Sequence, residues 1–273
     1  MAIELGKLGI WRHPSGVDAE FAAKAEKLGY GAIWLGGSPG GDLEYVDDLL
    51  GATESLVVAT GIVNIWQDEP ASIAKAYERI AGKYPDRFLL GVGAGHREHT
   101  QEFKKPYTAL VEYLDGLDAA GVPVAGRALA ALGPKVVKLS GDRTAGAHPY
   151  LVTPQHTREA REILGAGKLL APEHKVVLGT DAAETRAIGR NTVKFYLGLS
   201  NYVANLRKLG FTDEDLEGEG SDRLVDALAL QGDAATIAAG LREHFEAGAD
   251  HVNIQVLNED PWPAYRELAA ELL

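Results

Sequence analysis

The sequence predicts an α/β fold, a (β/α)8 TIM barrel, on three observations. Short apolar runs alternate with amphipathic stretches along the whole chain, the order that builds a parallel sheet with helices outside it. The length of 273 residues suits one such barrel, and no linker or composition shift divides it, so a single domain over 1–273 is expected. The third observation is the stretch Tyr84-Pro85-Asp86-Arg87-Phe88-Leu89-Leu90-Gly91-Val92-Gly93-Ala94-Gly95-His96. There a helix ends, a strand apolar on both faces follows, and glycines stop beside ionisable side chains. That is how a barrel strand delivers its C-terminal end to an active site.

The elements follow in order. Strand one is read at 8–11 and a helix at 17–28; strand two lies at 32–35, with a helix at 43–55. The third strand, 56–63, leads to a helix from Pro70, whose missing N–H is not needed in a first turn. The fourth strand is 88–92, followed by a helix at 107–120. Residues 127–132 and 146–152 supply strands five and six, separated by a short helix from Pro134. A helix at 157–164, a seventh strand at 175–179, an eighth at 251–257 and a closing helix from Pro261 complete the count. Between 181 and 248 a helical insertion precedes strand eight. Within it 181–209 reads as a long broken helix, and the acidic, glycine-rich 211–221 as a solvated surface loop.

Composition narrows the chemistry. The chain has no cysteine, which excludes disulfides, thiolate metal sites and thiol catalysis. Its net charge of −12 opposes a nucleic-acid partner, because phosphate binding needs a basic face. No apolar run reaches 18 residues and residues 1–7 do not resemble a signal peptide, so no membrane partner and a cytoplasmic location are expected.

Candidate site residues are those at the strand ends: Trp11, Arg12 and His13; Gly36, Gly37 and Ser38; Gly61, Ile62, Val63, Asn64 and Trp66; Ala94, Gly95, His96, Arg97 and His99; Ala131, Leu132 and Gly133; His148, Tyr150 and Thr153; Gln255 and Asn258. Histidines 13, 96 and 148 fall among them, and imidazole transfers protons near neutral pH. His96-Arg97-Glu98-His99 lacks a third ligand, so no metal is expected. Neither a Gly-x-Ser-x-Gly nucleophile, a Walker loop nor a spaced Rossmann fingerprint occurs. A pocket of glycine, aliphatic and aromatic surface with few charges suits a large planar cofactor that brings its own reactivity.

These residues carry a resemblance. Leu28-Gly29-Tyr30 leading to Trp34, Ala59-Thr60-Gly61-Ile62-Val63-Asn64, the Tyr84 to Gly95 stretch, Ala130-Ala131-Leu132-Gly133-Pro134, Gly146-Ala147-His148-Pro149-Tyr150 and Ala247-Gly248-Ala249-Asp250-His251-Val252, in that order, resemble the luciferase-like monooxygenase superfamily. Within it, the chain looks like the coenzyme F420-dependent oxidoreductases of actinobacterial type. The resemblance implies a deazaflavin at the strand C-termini and a non-prolyl cis peptide at Gly61-Ile62 behind its ring. By position, Ile62, Val63 and Asn64 would line the ring, with Ala94, Gly95 and His96 beside it and Leu132 and Gly133 nearby. Arg97 and His99 would lie toward the cofactor tail, and the helix start after Thr153 would receive phosphate.

His96 or His148 is the expected proton-transfer partner, and Trp11, His13, Ser38 and Trp66 would shape the substrate side. The superfamily's sugar-phosphate dehydrogenases have an Asp-His pair after strand two and a Glu after the fourth-strand glycines. Here Gly36-Gly37-Ser38 and His96 stand there, against glucose-6-phosphate as substrate. The activity implied is hydride transfer between the deazaflavin C5 and a small organic substrate, in a homodimer by family expectation. The alternatives are an FMN-dependent monooxygenase of the same fold, a phosphate-binding barrel lyase or isomerase, and a non-catalytic binding protein.

Overall fold

A computed structural model describes residues 3–95 and 105–273. Strands β1 (Leu8–Arg12), β2 (Ala32–Gly36) and β3 (Val57–Gly61) pair in parallel. After β3 the chain continues as β4 (Val63–Asn64), which joins β5 (Phe88–Gly93). From there the sheet runs to β6 (Arg127–Leu129) and β7 (Gly146–Ala147).

Closure depends on one bent strand. Its first part, β8 (Leu169–Leu170), pairs with β7, and its second, β9 (Glu173–Leu178), pairs with β11 (Val252–Val256), which returns to β1. Across the bend Ala171 N donates to Ala147 O, and Asn253 N to Pro172 O, both at 2.9 Å. The ladder therefore passes from the sixth to the eighth barrel strand without a gap, and the predicted TIM barrel is the fold found.

Helices α1 (Ala19–Lys27), α2 (Tyr45–Gly51), α3 (Pro70–Lys83), α4 (Pro106–Ala119), α5 (Pro134–Arg143) and α6 (Pro154–Leu164) cross between strands. Proline opens α3 to α6, its fixed φ already helical. Between β9 and β11 come α7 (Ala182–Tyr196), α8 (Ser200–Lys208), α9 (Asp213–Leu216), α10 (Asp222–Leu228), the short strand β10 (Ala229–Gly232) and α11 (Ala234–Glu246); α12 (Trp262–Leu272) closes the chain.

Strand alternation sorts the core into two layers. Ile10, Ile33, Leu35, Val58, Leu90 and Ile254 face the helices. Ala32, Trp34, Val57, Ala59, Leu89 and Ala128 fill the barrel.

Several sequence expectations need correction. The seventh strand begins at Leu169 rather than 175, because its first residues complete the barrel ladder. Strands five and six are shorter than expected, since after Leu129 and Ala147 the chains leave the ladder for the strand-end loops. The segment 211–221 is not a plain solvated loop. Phe211 is buried in the insertion's own core. Thr212 and Asp215 form a capping box, with Thr212 N donating to the Asp215 carboxylate at 2.9 Å and Ser221 Oγ to the same carboxylate at 2.7 Å. Strand β10, which extends the outer half of β9, was not expected, because four residues between two helices carry too little periodicity.

The Tyr84-Pro85-Asp86-Arg87 stretch fixes β5 against its neighbour. Arg87 donates through Nε to Leu56 O at 3.0 Å and through Nη1 to Thr53 O at 2.9 Å, while Nη2 reaches Thr53 Oγ1. Three acceptors held in one plane fit the guanidinium fork and no ammonium. Arg87→Ala is expected to lower stability by about 2 kcal/mol, with Arg87→Lys recovering less than half. Urea unfolding of the three proteins checks this, and an unchanged midpoint in Arg87→Ala would refute the assigned role.

Candidate functional site

At the C-terminal ends of four consecutive barrel strands stand Gly36, Gly61, Gly93 and Ala130. Their lack of bulk is required by what approaches them. A Cβ on Gly36 would lie 1.9 Å from the Trp11 ring, and one on Gly93 would lie 3.0 Å from both Ala130 Cβ and Ile62 Cγ1. The Gly61–Ile62 peptide is cis, at the position the resemblance implies. Beside it the Thr60 hydroxyl donates to Gly91 O at 2.7 Å and accepts from Gly91 N at 2.8 Å. A side chain thus carries the link between β3 and β5 where the backbone turns away.

Trp11 and His148 converge on this floor. A Cβ on Gly61 would lie 3.0 Å from Trp11 Nε1 and 3.2 Å from His148 Nε2. Both nitrogens are buried without a hydrogen-bond partner. The His148 ring stacks on Trp34 with centroids 4.1 Å apart. Its Nδ1 lies 2.7 Å from Ala171 O; a carbonyl can only accept, so Nδ1 carries the proton and Nε2 presents a lone pair. Burial holds the imidazole neutral, its pKa lowered to about 4. Trp11 offers an N–H and His148 an acceptor toward the same floor residue, Gly61.

Beside Trp11, the strand-end candidates Tyr150 and Gln255 join an ion pair that sequence reasoning missed. Lys175 and Glu173, both fully buried inside the barrel, pair at 2.9 Å. The ammonium sits 3.9 Å from the Tyr150 ring centroid and 5.1 Å from that of Tyr196. Glu173 also accepts from Leu151 N at 2.9 Å. The Tyr150 hydroxyl contacts Tyr196 Oη at 2.6 Å and Gln255 Oε1 at 2.8 Å, and its ring packs 5.0 Å from Trp11. The signal for the pair was the i, i+2 spacing of two charges in an otherwise apolar strand, which puts both on one face. A seventh strand starting at Lys175 leaves Glu173 outside it; the observed β9 includes both.

The other expected residues divide. Ile62 reaches Gly93 and Gly91 on the floor, and Asn64 meets Gly95, where a Cβ would lie 2.8 Å from Asn64 Nδ2. Val63 faces the layer between barrel and helices, so alternation along β4 takes it off the floor. Trp66 Nε1 donates to Ala94 O at 2.7 Å, tying the third strand's end to the fourth's. His13 lies on the rim against Gly37, next to Ser38, and its ring accepts from Ser15 N at 3.2 Å. Leu132 O accepts from His156 Nε2 at 2.7 Å, Gly133 precedes α5 with open space beside it, and Thr153 caps α6 through His156 N. His96, Arg97 and His99 lie outside the described residues. Among the described residues no group of three His, Asp or Glu is placed to hold a metal, and no helix is long and apolar enough to cross a membrane. Two surface hollows lie elsewhere. One of about 700 Å³ is lined by Asp18, Tyr45 and Asp47, and one of about 320 Å³ by Ile3, Thr144 and Leu169. Neither contains a histidine or reaches the strand C-termini, so the floor remains the candidate site.

Residues 18–127 match the family model for luciferase-like monooxygenase. No curated protein matches the chain in sequence. Among solved structures, an F420-dependent secondary alcohol dehydrogenase in complex with an F420-acetone adduct superposes with a TM-score of 0.77 at 15% identity, over 97% of this chain and 98% of that one. A coenzyme F420 dependent tetrahydromethanopterin reductase from Methanopyrus kandleri gives 0.69 at 16% identity, over 97% of each chain. The oxygenating constituent of 3,6-diketocamphane monooxygenase from Pseudomonas putida, in complex with FMN, gives 0.67 at 15% identity, over 96% of each. The luciferase-like resemblance therefore stands, and the fold is common to proteins solved with F420 and with FMN.

Besides His148, four histidines are buried in structural roles. His174 Nδ1 lies 3.2 Å from Val152 O and 2.9 Å from His244 Nε2, and His244 Nδ1 lies 2.8 Å from Thr157 Oγ1. With neutral rings each Nδ1 donates, the single His174 N–H being shared between Val152 O and His244 Nε2, while His174 Nε2 has no partner among the described residues. Burial lowers the pKa of His148 to about 4 and of His174 to about 3, and also lowers those of His156, His244 and His251. Folded values below the unfolded value of about 6.5 mean that unfolding takes up protons, so this contribution is complete above pH 6.5 and is lost on acidification. Each such histidine contributes a slope of up to about 1.4 kcal/mol per pH unit. The urea midpoint is expected to be flat from pH 8 to 7 and to fall steeply between pH 6.5 and 4. A midpoint unchanged down to pH 4.5 would contradict neutral burial.

Proposed function

We propose that this luciferase-like barrel is an F420-dependent oxidoreductase that moves a hydride between the deazaflavin C5 and a small organic substrate. The observation that carries the reading is the floor of Gly36, Gly61, Gly93 and Ala130 with two unpartnered buried nitrogens, Trp11 Nε1 and His148 Nε2, turned toward it. The missing side chains let Trp11 and Ile62 lie directly on the strand ends, and a floor of glycine, alanine and aromatic surface suits an uncharged ring system. The fold shared with the F420-dependent alcohol dehydrogenase, at a TM-score of 0.77, is compatible with this reading, and the FMN complex shares it at 0.67.

When bound, the deazaflavin supplies the hydride donor or acceptor. Ile62, Asn64 and Gly95 would flank it, and the remaining work falls to the chain. Ala171 O holds the proton of His148 on Nδ1, which leaves Nε2 to accept the proton of a substrate hydroxyl, in the oxidation direction, as a general base. Trp11 Nε1 donates to the same oxygen and orients it. Trp34, stacked on His148, excludes water and keeps the imidazole neutral. His96 is proposed as a second proton-transfer partner, and Arg97 and His99 as contacts to the cofactor tail, on sequence alone.

Titration of the purified protein with F420 and separately with FMN tests the reading. Tight F420 and weak FMN binding is expected; preference for FMN would move the assignment to an oxygenase, and binding of neither would overturn it. With a substrate in hand, His148→Gln is expected to lower kcat by about 10² to 10⁴ with F420 affinity unchanged. Because the base form persists down to about pH 4, kcat/KM for oxidation should stay flat from pH 8 to about 5. A decline beginning near 6.5, the ordinary histidine value, would rule His148 out as the base.

A further inference from the structure

We propose that Tyr150, Tyr196 and Gln255 form a clasp that selects an uncharged, oxygen-bearing substrate head, and that the buried Glu173–Lys175 pair is its positioning element. This rests on the oxidoreductase reading above.

Proton accounting defines what the clasp offers. Tyr150 has one proton, and it goes to Gln255 Oε1 at 2.8 Å. The 2.6 Å contact between hydroxyls then requires Tyr196 to donate to Tyr150. With both phenolic protons committed, Tyr196 Oη keeps a free lone pair. Gln255 Nε2 has no partner among the described residues. The clasp therefore presents an amide N–H pair and one acceptor, the complement of a carbonyl or hydroxyl group. Burial and the nearby Glu173 charge raise the pKa of Tyr150, and burial raises that of Tyr196, so both stay protonated.

Charge accounting among the described residues favours a neutral head over an anionic one at the clasp. Lys175 gives N–H groups to Glu173 Oε1 at 2.9 Å and Oε2 at 3.2 Å and turns its remaining face to the tyrosine rings. Its charge is cancelled where it stands and covered by aromatic surface. Arg12, at the end of β1, lies against Phe21 of α1 and not at the clasp: its Nε donates to Gly16 O at 2.9 Å and its guanidinium is 5.4 Å from the Phe21 ring. At the clasp a carboxylate or phosphate would meet only Lys175 among the described residues, a cation already neutralised by Glu173, and losing its water would go uncompensated.

Geometry makes the pair a positioning element. Glu173 grips Leu151 N and Lys175 supports the Tyr150 ring, so the pair fixes the backbone after Tyr150 and the ring itself. Tyr150, Tyr196 and Gln255 are half-buried around it, and Tyr150 packs 5.0 Å from Trp11, which itself lies on the glycine floor.

The test is calorimetric binding to the full-length protein loaded with F420, with cyclohexanone and cyclohexanecarboxylate as neutral and anionic probes of similar size. Cyclohexanone is expected to bind at least tenfold more tightly. Gln255→Leu and Tyr196→Phe are each expected to weaken it at least fivefold while F420 affinity changes less than twofold. In a Lys175→Met/Glu173→Gln background, which removes both charges together, Tyr196→Phe should have no further effect, because the hydroxyl it deletes is no longer held in place. A purely structural role for the pair would leave the Tyr196→Phe effect intact. The clasp is overturned if the carboxylate binds as well as the ketone, if cyclohexanone does not bind to the F420-loaded protein, or if both single variants leave its affinity unchanged. Each of these leaves the oxidoreductase reading standing, whereas failure of F420 and FMN to bind at all defeats that reading instead.

Discussion

The arrangement at the barrel mouth depends on one interaction, the ion pair of Glu173 and Lys175 inside the barrel. Two charges taken fully out of water carry a desolvation cost of several kcal/mol each, and attraction across 2.9 Å offsets it only when the remaining hydrogen-bonding capacity is used. Here it is used, by Leu151 N on the carboxylate and by two aromatic faces on the ammonium. The consequence spreads outward. Tyr150 is held by Lys175, Trp11 packs on Tyr150, and the Trp11 indole is thereby aimed at Gly61. Strand seven does two jobs: its first residues close the barrel ladder, and its middle carries the pair that organises the mouth.

A buried ion pair is a poor source of stability compared with apolar side chains of the same volume. Its persistence inside a barrel filled largely by alanine, valine, leucine and tryptophan is better explained by orientation. An apolar residue at 175 could fill the space beneath Tyr150, but it would leave the ring free to slide. The ammonium, by contrast, has a preferred position over the ring face and is itself fixed by two carboxylate oxygens.

Much of the fold was legible because both of its signals are local. The 2.0 period of strands and the 3.6 period of helices survive in single segments, and prolines at 70 and 134 mark helix starts by steric necessity. What was not legible is set by contacts distant in sequence. Nothing local says that Leu169 begins a strand, since its partner Gly146 and the partner of Glu173 further along it, Asn253, lie on either side in the chain. The segment 211–221 failed for a related reason. Its charges suggested solvent, yet Asp215 spends its carboxylate on Thr212 and Ser221, and that satisfaction lets Phe211 turn inward.

The site divides the same way. Glycines 36, 61 and 93 were readable as small residues at strand ends, and the cis peptide at Gly61–Ile62 was implied by resemblance. Position alone also singled out His148, but its character as an acceptor was not readable. That property is conferred by Ala171 O, a backbone atom 23 residues along the chain, which assigns the proton to Nδ1 and so turns Nε2 into a base. Sequence can nominate an imidazole. Which of its nitrogens works, and in which direction protons move, is decided by the fold that surrounds it.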